Sequence, residues 1–284
     1  MIPAGDISAG YDLAALQAAL HTRVLGRSVH YMDATASTNS TAMALAEAGS
    51  SDGSIVVAEV QTAGRGRRGR AWHSPHGRHI YCSIIFRIAD EHSAWLSWIP
   101  LASALAAAEA IFETARLPVL LKWPNDMLVS DRKIGGILCE KVGGQGQSVV
   151  VIGIGLNINC DQTDFPSDLT NLATSIKMEH GRTVDRTAVL AALLNRLEIR
   201  LDRLRSEGVS ETLAAYVARS ATIGEQVRIM LSEAEPIEGL AESIGPDGCL
   251  RVRLQPDSSS KGDSTVIEVR SADVKYVRKV TARS

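Results

Sequence analysis

A segment that mixes glycine and arginine restricts how this chain can fold. The segment GRGRRGR at residues 64–70 places four arginines among three glycines. It fits the GxGxxG pattern of dinucleotide sites, but that pattern needs a helix that begins at its last glycine. Here a Ser-Pro pair and Gly77 interrupt the chain, and residues 80–86 alternate like a strand. We therefore predict a loop between two strands.

The chemistry of this loop favours anionic ligands. Its glycines leave backbone N–H groups that can approach a ligand closely, and its guanidinium groups can bind phosphate or carboxylate through paired hydrogen bonds. The alternative is a solvated basic loop without a ligand, because runs of charge are usually solvated.

Composition narrows the classes of partner. The chain has 284 residues, of which 45% are hydrophobic and 22% charged, as in ordinary globular proteins. The net charge is -2 and the pI about 6.4, so neither nucleic acid nor an anionic membrane is expected as the main partner. The N-terminus shows no signal-peptide pattern, and no uninterrupted apolar run approaches the length needed to span a membrane. We therefore expect a cytoplasmic protein.

The cysteines and histidines do not form a metal-binding pattern. The four cysteines lie far apart and lack a CxxC pair, which argues against zinc and disulfides and suits a reducing compartment. His73, His76 and His79 recur at three-residue spacing, but in a Ser-Pro loop this is not an arrangement of metal ligands. We predict no metal bound by protein side chains.

The first three quarters of the chain alternate between helical and strand patterns. A long apolar helix is predicted over 95–115. Residues 149–155 predict a strand whose continuous apolar pattern indicates burial on both faces. A helix over 187–205 has leucines at a helical period. These patterns predict an α/β domain over residues 1–221.

The pattern changes after residue 222. Short strands between glycine and proline turns predict a small β-barrel over 222–284, which ends in a strand over 274–277. The polar, serine-rich loop at 255–264 is predicted to be mobile.

A polar turn follows the long apolar helix. The segment KWPND at 122–126 places a proline and an Asn-Asp pair where a strand ends, which is where open α/β sheets position ligand groups. A hairpin would bring Asp126 and Lys133 to the same cavity. The alternative is a polar hairpin whose surface ion pair contributes under about 1 kcal/mol. Gly135 and Gly136 favour a site, because glycines in a strand allow close approach to the backbone.

Two further segments carry polar groups. The Ser-Thr-Asn run at 37–39 precedes an alanine-rich helix that ends near Ala48, so it could be an N-cap or line a pocket for a neutral polar heterocycle. The segment GIGLNIN at 153–159 ends a buried strand with two amides that could read a base edge. Neither segment alone decides between these interpretations.

Together these segments resemble one family, the biotin protein ligases. Five motifs occur in the family's order within residues 29–160: Ser-Thr-Asn at 37–39, the run from Gln61 to Gly77, KWPND at 122–126, KIGGIL at 133–138 and GIGLN at 153–157. The resemblance implies an α/β (α+β) catalytic domain with a mixed sheet, related to class II aminoacyl-tRNA synthetases, and a small C-terminal SH3-like barrel. The strand over 274–277 is only loosely similar to the family's usual ending.

Some members of this family also repress transcription through an N-terminal winged helix-turn-helix. Only about thirty residues precede the first predicted core strand, too few for such a domain, so a monofunctional ligase is expected. Because all five motifs precede residue 160, the small barrel is expected to be an accessory surface and the substrate sites complete without it.

The resemblance implies a two-step reaction. ATP activates the biotin carboxylate to biotinyl-5′-AMP and pyrophosphate, and the biotinyl group then passes to a lysine of a biotin carboxyl carrier domain in a biotin-dependent carboxylase. Attack of a carboxylate on a phosphate brings two anions together, so cationic groups are needed. We expect Lys133, Arg67 and Asp126 to be catalytic, with Asp126 orienting Lys133 or the acceptor lysine and helping to remove its proton.

The resemblance also assigns binding residues. Biotin is expected against Ser37, Thr38, Asn39, Gln61, Gly64, Arg65, Gly66, Arg67 and Lys133. The nucleotide is expected against Arg65, Arg70, Trp72, Asn125 and Asn157, with Asn157 facing adenine. Mg²⁺ is expected to bridge the ATP phosphates, and no protein ligand for it can be named.

Two other functions remain open. A lipoate-type protein ligase of the same fold is the alternative, although the glycine-arginine segment and KWPND favour biotin. A nucleic-acid-binding protein would need a wider basic surface.

The expected partners are the carrier domain, biotin and ATP, without nucleic acid or membrane, and a homodimer is an open possibility. The loop glycines are expected to let it close over the adenylate, which water would hydrolyse.

Overall fold

A seven-stranded mixed sheet forms the larger part of the fold. The computed structural model describes residues 10–89, 95–142, 147–230, 236–254, 265–270 and 273–276, and within them the strand order is β1-β2-β3-β7-β6-β5-β4. The strands are β1 (Val29–Thr35), β2 (Ile55–Gln61), β3 (His79–Ala89), β4 (Leu120–Lys122), β5 (Asp126–Val129), β6 (Arg132–Val142) and β7 (Gln147–Asn157). Strands β1 and β2 pair in parallel, and the other neighbouring strands pair antiparallel. The predicted mixed α/β sheet is confirmed.

Helices cover both faces of this sheet. They are α1 (Leu13–Ala19), α2 (Thr38–Glu47), α3 (Ile99–Ala115), α4 (Ile176–His180), α5 (Arg186–Glu207) and α6 (Val209–Val217). Helices α3 and α5 pack together within the main apolar core, whereas α2 packs in a smaller cluster with Val56, Ile85 and Val151. The predicted leucine face of α5 is buried, and Asp185 caps its N-terminus by accepting from the N–H of Thr187.

The apolar helix predicted over 95–115 corrects the expectation that no segment of this chain is apolar enough to span a membrane. Residues Trp95–Ala115 are long and apolar enough to cross a membrane by length and composition, contrary to the expectation that no such run exists. However, 67% of the apolar window is buried inside the fold, against the sheet and α5. The physical reason for the composition is therefore burial in the core on several sides.

A small antiparallel sheet follows α6. Its order is β11-β10-β9-β8-β12 in the part of the chain that the structure describes. The strands are β8 (Gln226–Met230), β9 (Ile237–Ile244), β10 (Leu250–Leu254), β11 (Val266–Val269) and β12 (Asp273–Tyr276). The predicted C-terminal β domain is confirmed, and the division at residues 221 and 222 stays a prediction. The predicted loop over 255–264 and Val277 lie outside the described residues.

Two tryptophans anchor the small sheet on the large one. The indole N–H of Trp98 donates to the carbonyl of Pro246 at 2.8 Å, and that of Trp123 donates to the carbonyl of Gly248 at 3.1 Å. Both acceptors lie in the turn between β9 and β10. Both indoles are buried, and the backbone N–H of Trp123 donates to Thr222 Oγ1 at 3.0 Å. The tryptophan of the KWPND motif thus holds the two sheets together.

We predict that Trp98→Phe lowers the free energy of unfolding by about 1–3 kcal/mol, because it removes the hydrogen bond of a fully buried indole and leaves part of its volume unfilled. Urea unfolding followed by circular dichroism measures this loss. Phe112→Leu is the control, because Phe112 is half exposed and its replacement should change stability by under about 0.5 kcal/mol. An equally small effect for Trp98→Phe would contradict the anchoring role.

Candidate functional site

Residues from all five sequence motifs line one large cleft. It has a volume of about 1410 Å³ and lies between the large sheet and the small one. The residues predicted as site residues that line it are Ser37, Thr38, Asn39, Gln61, Arg65, Gly66, Arg67, Arg70, Trp72, Asn125, Asp126, Lys133 and Asn157. Gly64 is not among the lining residues. A Cβ at Gly64 would lie 2.7 Å from the carbonyl oxygen of Trp72, so this glycine packs beneath the loop.

The loop between β2 and β3, residues 62–78, is here called the Gly-Arg loop. It forms a small hairpin in which the N–H of Gly66 donates to the carbonyl of Arg70 at 2.7 Å. A short 3₁₀ turn at Arg67–Gly69 makes its tip, and Arg68 has a positive φ of 56°. No α-helix follows within these residues, which confirms the prediction of a loop between two strands.

Gln61 holds the start of α2. Its Oε1 accepts from the N–H of Thr38 at 2.9 Å and faces the hydroxyl of Thr38 at 3.1 Å. Its Nε2 donates to Ser74 Oγ at 3.1 Å, near the end of the Gly-Arg loop. Ser37 is the N-cap residue of α2, as one interpretation of the Ser-Thr-Asn run predicted, but its side chain makes no capping hydrogen bond. The capping oxygen comes from the neighbouring strand instead.

Asn39 is held by the sheet. Its Nδ2 donates to Glu140 Oε2 at 2.7 Å and to the carbonyl of Leu138 at 3.1 Å, and its Oδ1 accepts from Ser83 Oγ at 2.6 Å. Arg65 Nη2 pairs with the same Glu140 oxygen at 3.0 Å. We call Gln61, Thr38, Ser83, Asn39 and Glu140 the floor network.

Sequence reasoning missed Ser83 and Glu140. Ser83 interrupts an apolar run in β3, and this is a signal that could have identified it, whereas Glu140 stands beside Lys141 near the end of β6 and carries no such signal. Local patterns could not pair them with the Ser-Thr-Asn run, because the partners are separated by 44 and 101 residues along the chain.

Trp72 packs against two glycines of the sheet. A Cβ at Gly155 would lie 2.7 Å from its indole ring, and one at Gly136 would lie 3.5 Å from it. Gly136 thus allows close approach, as predicted, but the groups that approach are side chains of the same chain: a Cβ there would lie 3.2 Å from Lys133 Cε and 3.5 Å from the indole. Gly135 instead faces the core at Leu156, which corrects its predicted role. The buried Trp72 Nε1 has no hydrogen-bond partner among the described residues.

Lys133 faces Asp126 across the β5–β6 hairpin, as predicted. Lys133 Nζ lies 2.5 Å from Asp126 Oδ1 and 5.3 Å from the centroid of the Trp72 ring. The backbone of Lys133 is fixed, because its N–H donates to the carbonyl of Leu172 at 2.8 Å and its carbonyl accepts from Thr174 at 2.9 Å. The ion pair is partly exposed and contributes little to stability, so the ammonium can exchange its partner for an anionic ligand.

The two asparagines predicted to contact a nucleotide are engaged with the protein. Asn125 Oδ1 accepts from Arg67 Nη1 at 3.1 Å, and its Nδ2 donates to the carbonyl of Ile137 at 2.9 Å. Asn157 Nδ2 donates to the carbonyls of Thr174 and Lys133 at 2.9 and 3.3 Å. Asn125 therefore orients Arg67, and Asn157 supports the segment around Lys133. Direct contact of either amide with a nucleotide stays a prediction.

The small sheet completes one wall of the cleft. Its lining residues there are Ile223, Gly224, Glu225, Gln226 and Val274. Arg68 Nη1 donates to the carbonyl of Met230 at 2.8 Å, which attaches the tip of the Gly-Arg loop to β8. The small domain therefore contributes to the cleft, and the expectation that the biotin and ATP sites are complete without it stays a prediction. The sequence motifs gave no sign of this contact because it joins residues far apart in the chain.

The three histidines near the loop point to separate partners. His79 is fully buried, its Nδ1 accepts from the N–H of Ile158 at 3.2 Å, and burial lowers its pKa to about 3. His73 Nε2 lies 2.9 Å from the carbonyl of Asp164, and His76 Nε2 lies 3.0 Å from Asp33 Oδ1. Among the described residues, no group of histidine, cysteine or acidic side chains is arranged to hold a metal ion.

Known proteins share this architecture and its motifs. Residues 31–157 match the model of the biotin/lipoate A/B protein ligase family. The chain is 34% identical over 237 residues to the bifunctional ligase/repressor BirA of Bacillus spizizenii, covering 83% of this chain and 72% of that protein. It is 35% identical over 250 residues to the biotin–[acetyl-CoA-carboxylase] ligase of Mycobacterium tuberculosis, covering 86% and 87% of the two chains. The biotin protein ligase of Aquifex aeolicus, solved with biotin and ATP, has a TM-score of 0.73 at 26% identity, covering 89% of this chain and all of that one.

We predict that Gly155→Ala displaces the Trp72 indole, because the new methyl group would lie 2.7 Å from a rigid ring. The indole N–H signal of Trp72 in a ¹H–¹⁵N NMR spectrum, identified by its loss in Trp72→Phe, should shift. Gly66→Ala is the matched control, because a Cβ there meets its nearest atom at 3.4 Å. An unshifted Trp72 signal in Gly155→Ala would show that the indole does not lie on this glycine.

Proposed function

The chain belongs to the biotin/lipoate A/B protein ligase family as a biotin protein ligase, and we propose how its cleft performs that activity. Biotin and ATP are its substrates. The observation that carries the proposal is that one cleft joins a neutral pocket of hydroxyl and amide groups to a cationic rim. The pocket suits the ureido ring of biotin, and the rim suits phosphates.

Biotin would bind with its ureido ring in the pocket beside Ser37, Thr38 and Gln61. Hydroxyl and amide groups can satisfy both the carbonyl and the N–H groups of that ring. The Trp72 indole and Gly136 offer an apolar surface for the rest of the molecule. The carboxylate would then point towards Lys133, which lies above the same indole.

The first step is attack of a biotin carboxylate oxygen on the α-phosphorus of ATP. A new P–O bond forms, the bond to pyrophosphate breaks, and negative charge gathers on the phosphoryl oxygens. Lys133 and Arg67 would stabilise this charge, since a preorganised cationic donor acts most strongly in a site that excludes water. Arg67 is oriented for this by Asn125. Arg65 and Arg70 would bind the other phosphates.

Mg²⁺ would enter with the nucleotide. The described residues offer no preformed group of carboxylates for it, and Asp126 is already paired with Lys133. Such a site fits an ion held mainly by ATP phosphates and water, which is common for Mg²⁺. When bound, the ion would neutralise phosphate charge.

The second step would transfer the biotinyl group to a carrier domain. The ε-amine of the acceptor lysine attacks the carbonyl carbon of the adenylate, AMP leaves, and the amine loses a proton. We propose that Asp126 accepts that proton once phosphate has drawn Lys133 away from it. The small domain would hold the tip of the Gly-Arg loop and guide the carrier.

We further propose that residues 1–221 and 222–284 act as separate domains, and that the enzyme works in the cytoplasm. Homodimerisation remains a proposal.

The test is biotinylation of a purified biotin carrier domain. Wild-type protein with biotin and MgATP should raise the intact mass of the carrier by one biotinyl group. Omitting ATP, or replacing the acceptor lysine by arginine, should abolish the addition. Replacing biotin by lipoate tests the alternative function. Addition of lipoate in preference to biotin would contradict the proposal.

We predict that Lys133→Met lowers the rate of biotinyl-AMP formation by on the order of a hundredfold or more, because it removes one preorganised donor from the developing charge. Pyrophosphate release with saturating biotin and ATP measures this rate. Lys177→Met is the matched control: Lys177 pairs with Asp161 at the same distance of 2.5 Å, but it does not line the cleft. Equal rates for Lys133→Met and the control would remove Lys133 from the reaction.

A further inference from the structure

Glu140 lies where the biotin pocket meets the Gly-Arg loop. One oxygen of its carboxylate, Oε2, accepts from Asn39 Nδ2 at 2.7 Å and from Arg65 Nη2 at 3.0 Å. The side chain is a quarter exposed, at 25%. A single carboxylate therefore contacts one residue of the pocket wall and the first arginine of the loop.

The first contact fixes the orientation of the Asn39 amide. An ionised carboxylate and a backbone carbonyl can only accept hydrogen bonds, so both Glu140 and Leu138 require the NH₂ group of Asn39. The carbonyl oxygen of Asn39 must then face Ser83 and Gly153. There is no space for a larger residue on that side, because a Cβ at Gly153 would lie 2.1 Å from Asn39 Oδ1.

This orientation leaves the pocket with an excess of acceptors. The Ser83 hydroxyl lies 2.6 Å from Asn39 Oδ1 and 2.8 Å from Thr38 Oγ1, and the Thr38 hydroxyl lies 3.1 Å from Gln61 Oε1. The two hydroxyl protons of Ser83 and Thr38 cannot serve all three contacts at once. A ligand that donates N–H groups, such as a ureido ring, would supply the missing hydrogen-bond donor.

The second contact holds the loop. Arg65 Nη2 also donates to Ser40 Oγ at 3.2 Å, so the guanidinium is fixed between α2 and β6. Arg65 is the second residue of the GRGRRGR segment, so this contact ties the start of that segment to the sheet. A charge-assisted hydrogen bond is stronger than a neutral one, so loss of the Glu140 charge should loosen this attachment.

We infer that Glu140 is a positioning residue that couples the biotin pocket to the Gly-Arg loop. It sets the polarity of the pocket through Asn39 and the position of the loop through Arg65. The inference rests on the proposed function of the cleft.

The test compares Glu140→Gln with Glu113→Gln. Glutamine has nearly the same volume as glutamate, but it can present its own NH₂ group to Asn39, so the amide keeps only one of its two obligate acceptors, the carbonyl of Leu138. Glu113 pairs with Arg196 at 2.6 Å on the surface, and neither lines the cleft, so its variant is the matched control. Glu140→Gln should weaken biotin binding, measured by calorimetry without ATP, by on the order of tenfold. It should also shorten the retention of biotinyl-AMP, whereas the control changes neither.

An Arg65→Ala background separates the two routes. There, Glu140→Gln should still weaken biotin binding through Asn39 but should add little to the release of the adenylate, because the partner on the loop is gone. Equal biotin affinity in wild type and Glu140→Gln would overturn the inference. So would a loss of affinity in Glu140→Gln matched by a proportional loss of thermal stability.

A measurement without ligand keeps the inference separate from the proposed function. The side-chain NH₂ signals of Asn39 in an NMR spectrum, identified by their loss in Asn39→Asp, should shift in Glu140→Gln. Unshifted signals would overturn the role of Glu140 even if the enzyme biotinylates its carrier. Failure of the wild type to bind biotin, with shifted Asn39 signals, would overturn the proposed function and leave the positioning of Asn39 standing.

Discussion

The site depends on a continuous line of hydrogen bonds beneath the Gly-Arg loop. The line runs from the end of the loop, across the start of α2, to the sheet and back to the beginning of the loop, through Ser74, Gln61, Thr38, Ser83, Asn39, Glu140 and Arg65. Most of these groups are buried, where an unpaired polar atom is unfavourable by about 1–3 kcal/mol. The loop can therefore be glycine-rich and basic at its tip and still be fixed at both ends.

A buried ion pair reinforces the base of the same loop. Arg186, at the start of α5, pairs with Glu59 of β2 at 2.8 Å, and it donates to the carbonyl of His79, where β3 begins, at 3.2 Å. Its guanidinium lies 4.5 Å from the centroid of the Tyr11 ring. Loss of one partner would leave a buried charge uncompensated, so the pair holds β2 and β3 in register on either side of the loop. The chemistry at the tip then rests on a rigid frame.

Sequence patterns identified what is local, and they missed what joins distant segments. Strand alternation after residue 79 and the absence of a helix signal predicted the Gly-Arg loop, and the KWPND turn predicted the meeting of Asp126 with Lys133. The same patterns could not show that Gly155 makes room for an indole or that Arg68 reaches the small sheet. Those contacts follow from the order of strands in space, which places β7 between β3 and β6. The family resemblance predicted the reaction, and the structure identified the residues that hold the reacting groups in place.

Biotin in the pocket is expected to order the Gly-Arg loop through the floor network. Amide hydrogen exchange of residues 62–78, measured by mass spectrometry with and without biotin and in the absence of ATP, tests it most directly. We predict that saturating biotin alone slows exchange across the loop, because the pocket and both loop ends share one set of hydrogen bonds. If exchange in the loop stayed as fast with biotin as without it, and slowed only after nucleotide was added, the network would not couple pocket and loop.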